Sequence, residues 1–129
     1  MSNRIETKGA SLFFEDNKYL HVIFKSKVSI DLEMAKEISE ATFKLTTDIP
    51  HGNIVDTRKG MFISSEARKH FAEQKSVGLV GIAIFINSKV QSGLANLYFK
   101  FTKRKVENKI FTDEAEAKAW IDSKLKKIV

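Results

Sequence analysis

The run Val77-Gly-Leu-Val-Gly-Ile-Ala-Ile-Phe-Ile86, stopped by Asn87-Ser88, constrains the fold more than any other stretch of this chain. A strand with one wet face shows a polar residue at every second position. An unbroken apolar run therefore predicts a strand buried on both faces, the central strand of a sheet covered by helices. The run is too short to cross a bilayer, which takes about 20 apolar residues.

The flanking segments supply the rest of that sheet and its covers. Ser11–Glu15 and Tyr19–Lys25 surround Asp16-Asn17-Lys18, a turn-forming composition that predicts a β-hairpin. Asp31 is placed to cap a helix running to about Thr47, with Leu32, Ala35, Ile38, Ala41 and Leu45 as its apolar stripe. Pro50 and Gly52 end it, Asn53-Ile54-Val55 reads as a short strand, and residues 57–63 read as a loop. Ser64-Ser65-Glu66 has the hydroxyl and acid of a helix start, with Ala67 and Phe71 on the buried side. Past the apolar run, Ser88 opens a helix carrying Val90, Leu94, Leu97, Tyr98 and Phe101 at helical spacing. Lys109-Ile110-Phe111 is a last strand. Asp113 and Glu116 then stand at capping-box spacing before a helix that buries Ala117, Trp120, Ile121, Leu125 and Ile128.

The order is β-β-α-β-α-β-α-β-α: an α/β mixed sheet of about five strands and four helices, opened by an antiparallel hairpin. Residues 1–129 make one domain, with 1–9 expected to be loose. Ten Phe against two Tyr and one Trp puts the aromatic content mainly in core builders. The absence of cysteine excludes disulfides and thiolate chemistry. No signal peptide or membrane span is read, so a cytoplasmic protein is the expectation. The 22 basic and 16 acidic residues leave a formal charge of +6, with the densest basic group at Lys100, Lys103, Arg104 and Lys105. The charge is not gathered into one block, and nucleic-acid binding is not the expectation.

The stretches Gly81-Ile-Ala-Ile-Phe-Ile-Asn-Ser88 and Lys109-Ile-Phe-Thr-Asp-Glu-Ala-Glu-Ala-Lys-Ala-Trp-Ile121, in this element order, resemble the STAS fold of anti-sigma-factor antagonists and their SpoIIAA-like relatives. Val55-Asp56-Thr57-Arg58 followed by Ser64-Ser65-Glu66-Ala67-Arg68 is similar to an uncharacterised bacterial branch of that family. Antagonists of this kind carry Asp-Ser-Ser-Gly at the helix after the middle strand, and a partner kinase phosphorylates the first serine. The matching stretch here is Ile63-Ser64-Ser65-Glu66, so Ser64 falls at the phosphorylated position while the aspartate and the glycine are absent. The resemblance implies a regulatory protein-interaction module, and the residues show no Gly-rich phosphate loop, nucleophile elbow or paired-carboxylate motif, so neither catalysis nor a cofactor is expected. The module's partner would be a kinase-like or sigma-regulatory protein.

Two groups of candidate residues follow. Ser64, Ser65 and Arg68 form a helix start that would tolerate a phosphate or another anion, beside the plain reading of the serines as caps. Asp56, Arg58, Met61 and Phe62 form a candidate partner or ligand surface at a strand's C-terminal end, beside the plain reading of Asp56 as a local ion pair. The alternative function is binding of a small anionic or amphipathic, lipid-like ligand by Arg58, Arg68 and the apolar stretch Met61–Ile63. His21, His51 and His70 show no metal spacing and are read as strand-face, turn and helix-surface residues, so no metal is expected. Homodimerisation through an edge strand or an exposed helix is the remaining partner expectation.

Overall fold

The computed structural model describes residues 4–74, 77–87 and 106–128, apart from the Met61 side chain. The elements, in chain order, are β1 (Arg4–Glu6), β2 (Ala10–Glu15), β3 (Tyr19–Phe24), β4 (Val28–Ile30), α1 (Leu32–Thr46), β5 (His51–Asp56), β6 (Met61–Ile63), α2 (Ser65–Glu73), β7 (Leu79–Phe85), β8 (Asn108–Phe111) and α3 (Glu114–Lys126). The helix expected from Ser88 to Phe101, and the basic group Lys100–Lys105, lie outside the described residues.

Six strands make one sheet in the order β1-β2-β3-β5-β7-β8, and β4 with β6 makes a second, two-stranded sheet. The β2–β3 hairpin closes through Asp16 and Asn17, both left-handed at φ 54° and 53°, with the Lys18 amide donating to the Glu15 carbonyl at 3.0 Å. Left-handed central residues give a tight turn whose twist matches that of the strands. From β3 onward every neighbour is parallel, and the winding always moves to the next strand on the same side.

Four of the sequence expectations about the strands need correction. Residues 4–6 are not loose: they form an edge strand antiparallel to β2. The stretch 57–63 is not all loop, because Met61–Ile63 pairs in parallel with Val28–Ile30. These three-residue strands carry too little alternation to be read from sequence; tertiary pairing creates them. The main sheet therefore has six strands rather than about five. Finally, β7 is interior but lies next to the edge strand β8, and the middle pair is β3 and β5. Its apolar run reflects burial on both faces, which does not require the central place.

Register separates the two faces. The row Leu12–Val22–Val55–Ile84–Ile110 shares one face: Leu12, Val22 and Val55 pack with Ala35, Ile38, Ala41 and Ala67 of α1 and α2, and Ile84 and Ile110 pack with Ile82, Ile86 and Val106. The rows through Ile54 and Ala83, and through Phe85 and Phe111, point to α3 and meet Ala117 and Ile121. Ile128, expected in the core, is 51% exposed because α3 stops at Lys126.

The approach of α3 depends on two glycines side by side on β5 and β7. A Cβ at Gly52 would sit 2.5 Å from Ile121 Cγ2, and one at Gly81 would sit 2.9 Å from Lys124 Cδ and 3.0 Å from the Trp120 ring. Overpacking of this kind typically costs about 1–3 kcal/mol. Gly52→Ala is expected to lower stability by about that amount in chemical denaturation. A Gly60→Ala control, where no atom lies within 4 Å, should carry only the strain of its left-handed backbone, about 1 kcal/mol.

Candidate functional site

Four parallel strands end together at one side of the sheet, and the segments that follow them carry the candidate residues. Asp56 is the last residue of β5. The chain turns at Thr57–Gly60, with the Gly60 amide donating to the Thr57 carbonyl and Gly60 at φ +79°. The turn brings Arg58 back over its own strand. Asp56 Oδ1 accepts from the Arg58 amide and from Nε, each at 3.0 Å, and Oδ2 accepts from Nη2 at 2.9 Å. The guanidinium lies 4.2 Å from the centroid of the Phe85 ring.

The carboxylate raises the Arg58 pKa further above its ordinary value, so the cation is fixed. Around it the loop is tied to β7: Thr57 donates to the Phe85 carbonyl through its amide and its hydroxyl, and Asn87 Nδ2 donates to the Arg58 carbonyl. Both carboxylate oxygens are engaged, and the Arg58 side chain remains 45% exposed beyond the pair. Asp56 is buried and acts as a loop fastener. Among the described residues the parallel strands are wound in one direction, without the reversal of strand order that opens a ligand crevice in doubly wound sheets.

The second group lies on the other side of the same loop. The Ser64 amide donates to the Ile30 carbonyl at 3.0 Å, which joins the start of α2 to β4. Ser64 Oγ accepts from the Ala67 amide at 3.1 Å, an N-cap in which the hydroxyl stays exposed along with Ser65 and Glu66. Arg68, half-buried one turn on, makes no ion pair among the described residues. Phe62 is 77% exposed, paired in register with exposed Ser29. The Met61 side chain lies outside the described residues. The structure thus brings Asp56 to Arg58 and groups Phe62, Ser64, Ser65 and Arg68 around one strand-to-helix junction. No described hydrogen bond or ion pair links the two groups.

Three polar clusters escaped the sequence reading. His70, expected on the helix surface, meets buried Ser39 of α1: its Nε2 lies 2.9 Å from Ser39 Oγ, and Oγ donates to Gln74 Oε1 at 2.5 Å. The trio ties α1 to α2. His70 and Gln74 are four residues apart, which signals a shared helix face, but nothing local points to Ser39. His51, expected in a turn, opens β5 and is 2% exposed, with Nδ1 against the Ile49 carbonyl; burial lowers its pKa.

The third cluster straddles α3 and the hairpin. Glu15 Oε1 meets His21 Nε2 at 2.8 Å and Lys118 Nζ at 2.9 Å, and the Tyr19 hydroxyl donates to Asp122 Oδ1 at 2.6 Å. His21 stacks on Phe13 with ring centroids 4.3 Å apart. Lys118 and His21 hold the Glu15 carboxyl below its ordinary range. Burial and the bond to Asp122 push Tyr19 up to about 12. Among the described residues no group of three or more His, Cys, Asp or Glu is placed to hold a metal, and no helix is long and apolar enough to cross a membrane.

Comparison with known proteins adds the fold family. A family model described as "Domain of unknown function (DUF7793)" matches residues 12–125. No curated protein matches the chain. A crystal structure of an uncharacterised protein of the DUF3478 family with a SpoIIAA-like fold, from Shewanella loihica PV-4, is similar with a TM-score of 0.59. The two are 13% identical over 94% of this chain and 92% of that one, a likeness of fold.

Two measurements check the polar clusters. Asp56→Ala leaves Arg58 and its amide without their acceptor and is expected to cost about 1–3 kcal/mol in stability. For Tyr19 the folded state holds its proton above the ordinary phenol value of 10.0, so its contribution is complete below pH 10 and is lost as pH rises toward about 12. Tyr19→Phe should remove that part of the alkaline loss, read as a shallower fall of stability over this window.

Proposed function

This chain belongs to the DUF7793 family, and from its SpoIIAA-like fold and the geometry above we propose that it is a regulatory module that binds another protein and carries no catalysis of its own. The observation that carries this reading is Phe62. A strand residue whose neighbour Ile63 packs into the core leaves its own ring 77% exposed, although covering a phenyl group stabilises by about 1.5–3 kcal/mol. A partner supplies that cover.

Ser64 lies two residues on, at the same outward side of β6, with its hydroxyl at the positive end of α2. A phosphate there would add a charge of about −1.5 to −2 beside Phe62 and within reach of Arg68. That makes Ser64 the switch of this surface, for a kinase-like or sigma-regulatory partner. A chain without cysteine suits the reducing cytoplasm, where we place it. The rival occupant, a small anionic or amphipathic molecule, would meet an Arg58 already bound to Asp56 through Nε and Nη2.

Affinity capture from extract of the native cells, read by mass spectrometry, tests the reading with wild type, Phe62→Ser and Ser64→Asp. At least one protein held by wild type should fall about tenfold or more on Phe62→Ser, a change of about 1.4 kcal/mol. Ser64→Asp should alter retention of the same protein, with thermal midpoints unmoved. Identical retention by all three removes the proposal, and a co-purifying small molecule in native mass spectrometry would favour the rival.

A further inference from the structure

Several cations of the described surface are held by partners of their own. Arg4 pairs with Glu6, Arg58 with Asp56, Lys118 with Glu15 and Glu114, and Lys124 with Glu107. Lys25 donates to the Thr7 carbonyl, and Lys36 and Lys69 have helix partners at Glu33 and Glu73. Lys8, Lys18, Lys27, Lys44, Lys59, Arg68, Lys109, Lys126 and Lys127 have no such partner among the described residues. Of these, the backbone brings Lys27 and Lys59 together at the start of the two-stranded sheet that carries Phe62, with Arg68 on the helix that follows it. Lys27 leads into β4 and Lys59 into β6, and their main chains meet through the Lys27 amide and the Lys59 carbonyl at 3.4 Å. Two residues beyond Lys27, Ser29 stands in register with Phe62. Arg68 follows on the first turns of α2.

Few carboxylates oppose them. Asp31 is held at the N-cap of α1, accepting from the Met34 amide at 2.9 Å, and Glu66 is alone in the first turn of α2. Lys27 and Lys59 are exposed, and Arg68 is half-buried. An exposed aromatic ring with unpaired cations at its margin matches the arrangement of protein interfaces, in which an apolar anchor is surrounded by a charged rim that selects the partner and speeds its approach.

We infer that the outer side of the β4–β6 sheet binds an acidic segment of a partner protein, with Phe62 seated in an apolar pocket of that partner and Lys27, Lys59 and Arg68 facing its carboxylates. The inference rests on the interaction reading above and adds the chemistry of the partner. It also gives the Ser64 phosphate a direction: added negative charge at this rim repels an acidic segment and neutralises Arg68, so the modified protein releases its partner.

A zero-length carbodiimide tests this on the wild-type protein with the partner captured from native extract, since the reagent joins a lysine amine to a carboxylate as an amide with loss of water. Cross-linked peptides joining Lys27 or Lys59 to Asp or Glu of the partner are expected. Capture should fall about tenfold or more between about 50 mM and about 300 mM salt. The double variant Lys27→Glu, Lys59→Glu should lose the partner as Phe62→Ser does. A partner that depends on Phe62 but ignores both salt and the double variant overturns the acidic chemistry and leaves the interaction reading standing. No Phe62-dependent partner overturns both. Phe62-dependent pelleting with phosphatidylserine vesicles, with no protein captured, overturns them in favour of an anionic membrane surface.

Discussion

The height at which α3 lies over the sheet governs one whole side of this protein. Gly52 and Gly81 set that height, because their missing side chains let Ile121 and Trp120 rest on the backbone of β5 and β7. Every polar link from α3 to the hairpin then falls within reach: Tyr19 to Asp122, and Lys118 to Glu15. Phe85 and Phe111 are buried in the same layer, and Phe85 in turn carries the Arg58 guanidinium. A helix held further out would break these contacts together, so the closed pair at the end of β5 depends on two glycines at a distance from it.

How much of this was legible follows from the range of each interaction. The α1 stripe, the apolar run of β7 and the turn at Asp16-Asn17 are local patterns, and the structure holds all three. The Asp56–Arg58 pair spans one turn and was visible as a local ion pair. The β4–β6 pairing, the Ser39–His70–Gln74 clip and the burial of His51 each need a partner far along the chain. No spacing rule announces such partners. The exposure of Phe62 belongs with them, since only the register of β6 against β4 decides which of Phe62 and Ile63 turns inward.

Two regions at the end of the sheet behave oppositely. On the α3 side Arg58 is paired with Asp56 and the loop is tied to β7 at three points. On the β4–β6 side an aromatic ring and a set of cations lie unmatched in solvent. A folded chain gains nothing by itself from the second arrangement. The contrast separates residues that hold the fold from residues that the described fold leaves in solvent.

One-directional winding also has a consequence for how the protein is made. With α1 and α2 on the same face, the opposite face has α3 as its described cover, and α3 follows all six strands in the chain. Translation therefore finishes the sheet before its second cover exists. A nascent chain emerging at about 5–20 residues per second shows Ile54, Ala83, Phe85 and Phe111 to solvent until α3 clears the ribosome. Chaperone demand and premature truncation should both concentrate on that interval.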